Sequence, residues 1–456
     1  MYSAMRPRLI LLACGTLALT VYAWTATLAG NAPQPLGTLL HTAWLAGTIA
    51  LLLLAACARH LHTPTIPSLG YRLTSRALVV LLALACAGSI SLGIITASGI
   101  TRANPRYSSD AAAFNHFNAQ LALHGVNPYT ADARFWHAIG QFPDVGATPL
   151  RAGRYAGSAY GPSLDQIVLD VQQELAHPAE RGPEYDPATL HSYPALAFLI
   201  YLPNVWAGFP STAPTGLLFV VLFALAAAWG APRDLRFYLL LILLANEFLL
   251  LGALRGSFGF IAYLPAIIAW RTMNRRWLSP ALLGLACAVK QVVWPLAPLY
   301  AIIIWRRSGP RAALQQLAVA LAAFLLPNLP FIIASPAAWA QSLLLPLTLP
   351  LFPSGVGLIE LTHTGLLPLW PPAVYAALEV AALAALYLWY ARAKTPPRPE
   401  LALLLSLLPL LLAWRSLLDY FIVLPVLAVY AALPLLRAET ASSQAQEKPA
   451  PESHLA

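Results

Sequence analysis

The chain has little charge. Asp, Glu, Lys and Arg make up 10% of its 456 residues, against roughly 25% in a soluble domain, while 59% of the residues are hydrophobic. So few charges cannot solvate a globule of this length, which excludes a soluble domain and points to a polytopic membrane protein. Only four cysteines occur, Cys14, Cys57, Cys86 and Cys287. All lie inside apolar runs, where they read as small packing residues rather than disulfides or metal ligands. There is no HExxH, no paired Cys or His at metal spacing and no GxxxxGK[ST] loop, which excludes a zinc protease and an ATP-driven pump. Nor is there an internal repeat of the kind common in secondary transporters. The net charge of +9 is not a nucleic-acid signal, and no nucleic-acid partner is expected. Much of it lies in short connections between apolar runs, as positive-inside topology requires.

What is present is a series of apolar runs. Spans are expected near 8–29, 36–57 and 76–97, then 193–209, 213–230, 236–252, 257–270, 278–305 and 312–334, and last 372–392, 400–413 and 415–436. Helix length against bilayer thickness makes that about twelve. The first run is longer than the roughly 7–15 residues of a cleaved signal core and is read as a retained helix. The expected fold class is an all-α polytopic membrane protein with both termini cytoplasmic and outer loops at 98–192 and 335–371. Residues 1–75 form two N-terminal helices and a cytoplasmic loop, 76–437 a membrane domain, and 438–456 a polar, disordered cytoplasmic tail. Arg271, Arg275 and Arg276 resist this scheme. The count puts them outside, where positive-inside bias would not; a re-entrant segment or service to anions at the outer face would account for them.

The first outer loop opens with YSSDAAAFNHFNAQLALHGVNPY, residues 107–129. Phe114, Phe117 and Leu121 recur at helical spacing, with Asn115, His116, Asn118 and Gln120 around the rest, which predicts a short amphipathic helix over 109–124 lying along the membrane surface. Ser108 or Ser109 can cap it, and Gly125 with Pro128 stops it. Asp110 then falls in the first turn, where free N–H groups favour a carboxylate; the plainer reading is a capping acid. DQIVLDVQQEL (165–175) predicts a second short helix, with Ile167, Val168, Val171 and Leu175 as its apolar side.

Charges inside apolar spans are candidate functional groups. Lys290 stands mid-span with no obvious local partner. Arg415 and Asp419 lie four apart in WRSLLDYF, on one helix face. Asn246 and Glu247 interrupt another span, with Arg255 just beyond. On the plainer reading Arg415 and Asp419 pair with each other, and Glu247 with a neighbouring cation. His363 and Glu360 lie on the second outer loop, where a lone histidine is ordinarily just solvated.

The order of these elements resembles a known family. An outer-loop acid is followed by GVNPY (125–129), SYPALAFLIYLP (192–203) and LLGLACAVKQVVWPLAPLYAIIIWRR (282–307). This is similar to the GT-C class of polyprenyl-phosphate-sugar-dependent membrane glycosyltransferases, and most of all to the bacterial mannosyltransferase-like branch, glycosyltransferase family 87. The resemblance covers roughly residues 85–430. The chain departs from that pattern at Ala195 and Gln291, where the family has proline, and in WRSLLDYF, where members often carry a histidine. The resemblance implies a bundle of about twelve transmembrane helices with a large helical first outer loop, in a bacterial-type inner membrane. It implies an inverting transfer of a hexose, mannose first, from a polyprenyl-phosphate sugar to a glycan or glycolipid acceptor at the outer face. Asp110 would be the general base, with Asp132 and Asp165 as the next candidates. Lys290 and Arg415 would hold the donor phosphate in one shared cavity, with Arg255 and His363 behind them. Asn127, Tyr129, His191 and Tyr193 would form a substrate loop. No metal or cofactor is implied; the partners are membrane lipid, the donor and the acceptor. The rival reading is a transporter or lipid flippase that binds an anion through Lys290, Arg415 and Asp419; the large outer loop and the missing repeat weigh against it.

Overall fold

The computed structural model describes residues 6–28, 35–59, 61, 68–97, 107, 109–130, 138, 140–142, 147–176 and 191–447. Among these the chain is overwhelmingly helical, as its apolar runs require. Six helices are long and apolar enough to cross a membrane. They include α1 (Pro7–Leu28), α2 (Pro35–Cys57) and α3 (Leu69–Ala97), followed by Pro310–Ala334, Pro372–Arg392 and the last helix, Leu424–Glu447. A seventh crossing results if Arg233–Leu244 and Glu247–Leu254, bent by 55° at their junction, count as one. Shorter apolar helices, Ala213–Ala228, Gly259–Arg271, Leu278–Cys287 and Glu400–Leu412, complete the bundle. Several helices begin on proline, at Pro7, Pro35, Pro310, Pro336 and Pro372. The missing N–H costs nothing there, because the first helical amides have no intrahelical acceptor.

Three expected spans take another form. Residues 193–209 do not cross: they fold as two short helices, Leu196–Leu199 and Leu202–Trp206, in a stretch where Pro194 and Pro203 remove ladder donors. The long run 278–305 is a hairpin rather than one span. Leu278–Cys287 ends before Lys290, and the chain returns as Leu296–Ser308. Ser279 therefore meets Tyr300 at 2.7 Å across the two legs, and Arg307 reaches Met273 at the same end. Residues 413–420 are not helical either. They hold β2 (Arg415–Ser416), which pairs in parallel with β1 (Ser354–Gly355), and a 3-10 turn at Leu418–Tyr420. The expected tail is also shorter, because the last helix runs unbroken to Glu447; 448–456 lie outside the described residues.

Because 193–209 does not cross, one crossing drops out of the count before Arg271, Arg275 and Arg276, and the difficulty with them is removed. Arg271 donates to the carbonyls of Ala226, Ala227 and Trp229 at the end of Ala213–Ala228. Arg437 donates to Gly230 and Trp229 beside it. On the same last helix, Glu439 pairs with Arg8 at 2.7 Å, while Arg8 also caps α2 through the carbonyls of Ala55 and Ala58. Arg398 binds the carbonyls of Ala431 and Ala56. Apart from the bond to Ala431, which lies inside the last helix, these guanidiniums satisfy helix C-termini, where carbonyls are orphaned and a cation meets the negative end of the dipole. They collect at one end of the bundle, together with the chain start. The described parts of 98–192 and 335–371 lie toward the other.

Candidate functional site

Three interruptions converge to make the site: the hairpin turn at Lys290, the gap at 255–258 after Glu247–Leu254, and the irregular stretch 413–420. Lys290 has an extended backbone (φ −156°, ψ 141°) and its side chain is buried. Its Nζ stands 3.2 Å from Asp419 Oδ2, and the Ser257 hydroxyl donates to Asp419 Oδ1. The rings of Phe258, Tyr420 and Tyr193 surround the ammonium at 4.5, 5.3 and 5.8 Å, the arrangement that a cation–π contact requires. A Cβ on Gly259 would lie 3.0 Å from Asp419 Oδ2 and 3.1 Å from Lys290 Nζ, so the glycine clears room for the pair.

This geometry corrects two expectations. Lys290 has a partner, Asp419, and the plainer pairing of Arg415 with Asp419 does not form. Arg415 lies on a strand rather than a helix and donates instead to the Phe352 carbonyl at 3.4 Å. The strand pairing holds it there: Ser354 N donates to Trp414 O, and Val356 N to Ser416 O. Gly355 has φ 110°, and a Cβ there would fall 2.0 Å from Ser416 O, a position open only to glycine.

Asp110 opens α4 (Asp110–Leu123), with Ser109 as its cap; Ser108 lies outside the described residues. Asp110 Oδ1 accepts the Ala111 N–H and Oδ2 the Thr148 N–H, each at 2.7 Å. The second bond ties α4 to the 147–151 segment, where Leu150 bridges Leu351 and Arg151 N donates to Pro350 O. Each carboxylate oxygen keeps a further acceptor site. Tyr193 lies beside the hairpin, its ring 5.8 Å from Lys290 Nζ. Burial pushes its phenol up to about 12, with Lys290 opposing and Tyr420, Asp110 and Asp419 adding to the rise.

The helix at 109–124 forms as expected, but it does not lie on a surface. Asn115, His116 and Asn118 are as buried as Phe114 and Phe117. The helix is wrapped by the short helices of 196–206 and by Tyr107, whose ring rests on Gly256; a Cβ there would be 2.6 Å from it. Polar spacing on α4 therefore marks contacts within the protein rather than a face in water.

The substrate-loop residues come together. Asn127 Oδ1 accepts the Tyr129 N–H at 3.0 Å, and the Tyr129 hydroxyl donates to Tyr193 O at 2.9 Å. His191 meets Tyr129 and Tyr193 edge-on at 5.5 and 5.6 Å. Burial lowers its pKa to about 3, the Tyr193 backbone working the other way. Gln291, where the resembling family has proline, donates to Ser192 O at 2.5 Å and so fastens the hairpin turn to this loop.

Other candidates lie apart or play other parts. His363 ends a short helix and meets Tyr160 edge-on at 4.7 Å, and burial lowers its pKa. The Tyr160 hydroxyl donates to Thr362 O at 2.6 Å, so His363 belongs to the seam between the two outer loops rather than to solvent. Arg255 is exposed at the end of Glu247–Leu254. Asp165 is exposed, and Asp132 lies outside the described residues. The partner observed for Glu247 is the Trp24 indole at 2.9 Å, not a cation. Asn246 donates to Ile422 O at 2.7 Å, bracing the bend beside the Asp419 segment. Glu360 pairs with His41 at 2.5 Å.

Sequence reasoning missed Ser257, Gly259, Tyr420 and Asp419 as the setting of Lys290; the Gly-Ser-Phe-Gly run at 256–259 was the available signal for a break. No group of three His, Cys, Asp or Glu side chains is placed to share a metal ion among the described residues. No family model matches the chain, and neither a curated protein nor a solved structure is similar to it.

Proposed function

We propose that the chain is an integral membrane glycosyltransferase that moves a hexose, mannose first, from a polyprenyl-phosphate donor to a hydroxyl acceptor, with inversion. The observation that carries this reading is that Lys290, Asp419, Ser257 and the Tyr193 ring converge where three helix interruptions meet. On this reading the arginine-rich end is cytoplasmic and the loops face outward. On this reading the six long helices, the bent pair and the four shorter apolar helices make eleven legs, and Leu296–Ser308 the twelfth. The ten residues of Leu278–Cys287 rise about 15 Å, half of a hydrocarbon core of about 30 Å, so the Lys290 turn lies near mid-depth. A lipid-linked donor can reach that level from the side.

The acceptor hydroxyl attacks the anomeric carbon. Its oxygen forms the new C–O bond, its proton passes to Asp110, and the breaking bond leaves its electron pair on the polyprenyl phosphate. The charge of Lys290 is offset by Asp419, and Arg415, four residues from Asp419, is the second cation for the phosphate. Lys290 then positions Asp419 and the ring of aromatics.

The test is incubation of the purified protein in lipid nanodiscs with a panel of polyprenyl-phosphate hexoses and glycan acceptors, followed by detection of free polyprenyl phosphate. Release from at least one donor is expected; no release from any contradicts the proposal. One observation favours a second reading. Legs broken at Asn246, Lys290 and 413–420 are a feature of transporters. Anion flux across sealed vesicles without donor cleavage would favour that alternative.

A further inference from the structure

His116 and Gln120, one helical turn apart on α4, open onto a cavity of about 430 Å³, within the roughly 300–1,000 Å³ of small-molecule pockets. Its other walls include Gln141, Phe142, Gly208 and Phe209. Among the described residues that line it, none is an acid, a lysine or an arginine.

The donor at the wall is fixed. The Tyr107 hydroxyl accepts the Thr212 N–H at 3.2 Å, so its own proton points to His116 Nδ1, 2.6 Å away. That leaves Nε2 to carry the ring proton of the neutral imidazole. Burial keeps the ring neutral, its pKa lowered to about 4. Phe142 stacks on the imidazole at 5.2 Å and holds its plane. The two glutamine amides each offer a donor and an acceptor.

We infer that this cavity binds an uncharged, polyhydroxylated ligand, a hexopyranose unit by its chemistry. His116, Gln120 and Gln141 would bind its hydroxyls, and the rings of Phe142 and Phe209 would meet its C–H face. A charged ligand would find no counter-charge among these described lining residues. A hydrocarbon chain would leave three polar groups unpaired. Reading the ligand as the sugar end of the acceptor rests on the function proposed above; the site for a neutral sugar does not.

The experiment is saturation-transfer NMR with the full chain in nanodiscs free of glycoside detergents. The probes are methyl α-mannopyranoside and methyl α-glucopyranoside, with mannose 1-phosphate as the charged comparison. Saturable transfer from at least one neutral glycoside is expected. It should weaken by about tenfold or more in Gln120→Ala, the effect of one or two lost hydrogen bonds. Phe209→Ala should weaken it as well; this ring is 44% exposed at the rim, so its loss leaves the fold intact even if Gln120→Ala does not. Trp277→Ala, which removes an exposed ring that does not line the cavity, should leave glycoside binding unchanged. No saturable binding of either neutral glycoside would overturn the inference, the cavity then holding water alone. So would binding that survives Phe209→Ala and is lost in Trp277→Ala. Glycoside binding without donor cleavage would leave this site standing and the proposed transferase refuted; cleavage without glycoside binding would do the reverse.

Discussion

Lys290 and Asp419, 129 residues apart in the chain, hold ammonium and carboxylate 3.2 Å from each other where three helix interruptions meet. Lys290 is buried and Asp419 is about one third exposed. Removing one partner strands the other. Lys290→Met should therefore lower stability more than the double variant Lys290→Met/Asp419→Leu, with a coupling of about 1–3 kcal/mol, less than the 3–5 found for fully buried pairs. Unfolding of the two singles and the double in the same nanodiscs measures it. Strictly additive effects would contradict the pair.

Gly355 sets the β1–β2 contact that carries Arg415. With φ 110° and a Cβ that would meet Ser416 O at 2.0 Å, Gly355→Ala should cost about 1–3 kcal/mol from the backbone conformation alone, and more from the clash. A clearly lowered melting temperature is expected. An unchanged one would mean that the strands do not pair as described.

Two buried histidines give the fold a pH dependence. Burial lowers His116 to about 4 and His191 to about 3, from an ordinary 6.5. Between those values and 6.5 the unfolded chain binds more protons than the folded one, so stability falls as pH drops through that window and is level above it. The melting temperature should decline from about pH 6.5 toward pH 4. His116→Gln, which keeps an acceptor for Tyr107, should reduce the slope. A flat profile in the parent protein would contradict neutral burial.

Much of this was legible in the chain itself. The long apolar runs became helices, and α4 starts at Asp110 with Ser109 as its cap. DQIVLDVQQEL forms Leu164–Ala176 and buries Val171. Asn127, Tyr129, His191 and Tyr193 cluster as a loop. What failed did so for physical reasons. A run of 28 apolar residues, 278–305, fits one long span or two short legs equally well by hydropathy; Lys290 and Pro295 in its middle were the sign of a turn. The partner of Lys290 comes from a distant segment, which no local pattern discloses. Polar residues on α4 suggested water, yet the 196–206 helices and the cavity at His116 receive them. Arg415 and Asp419 at spacing four implied a shared helix face, but Gly355 opposite Ser416 makes that stretch a strand.

The central claim is that Asp110 takes the acceptor proton. Asp110→Asn leaves one acceptor oxygen for two backbone donors, Ala111 and Thr148, so a loss of about 1–3 kcal/mol in stability is expected and does not bear on catalysis. Ser109→Ala serves as the control, because it weakens the same helix start without touching the carboxylate. The deciding measurement is turnover of a polyprenyl-phosphate hexose at saturating donor, well below the melting temperature of every variant. The account predicts that Asp110→Asn still binds the donor but turns over about 10²–10⁴-fold more slowly, with no rescue at higher donor concentration, while Ser109→Ala stays near the parent rate. Turnover of Asp110→Asn within about threefold of the parent, a difference too small for a lost general base, would contradict it.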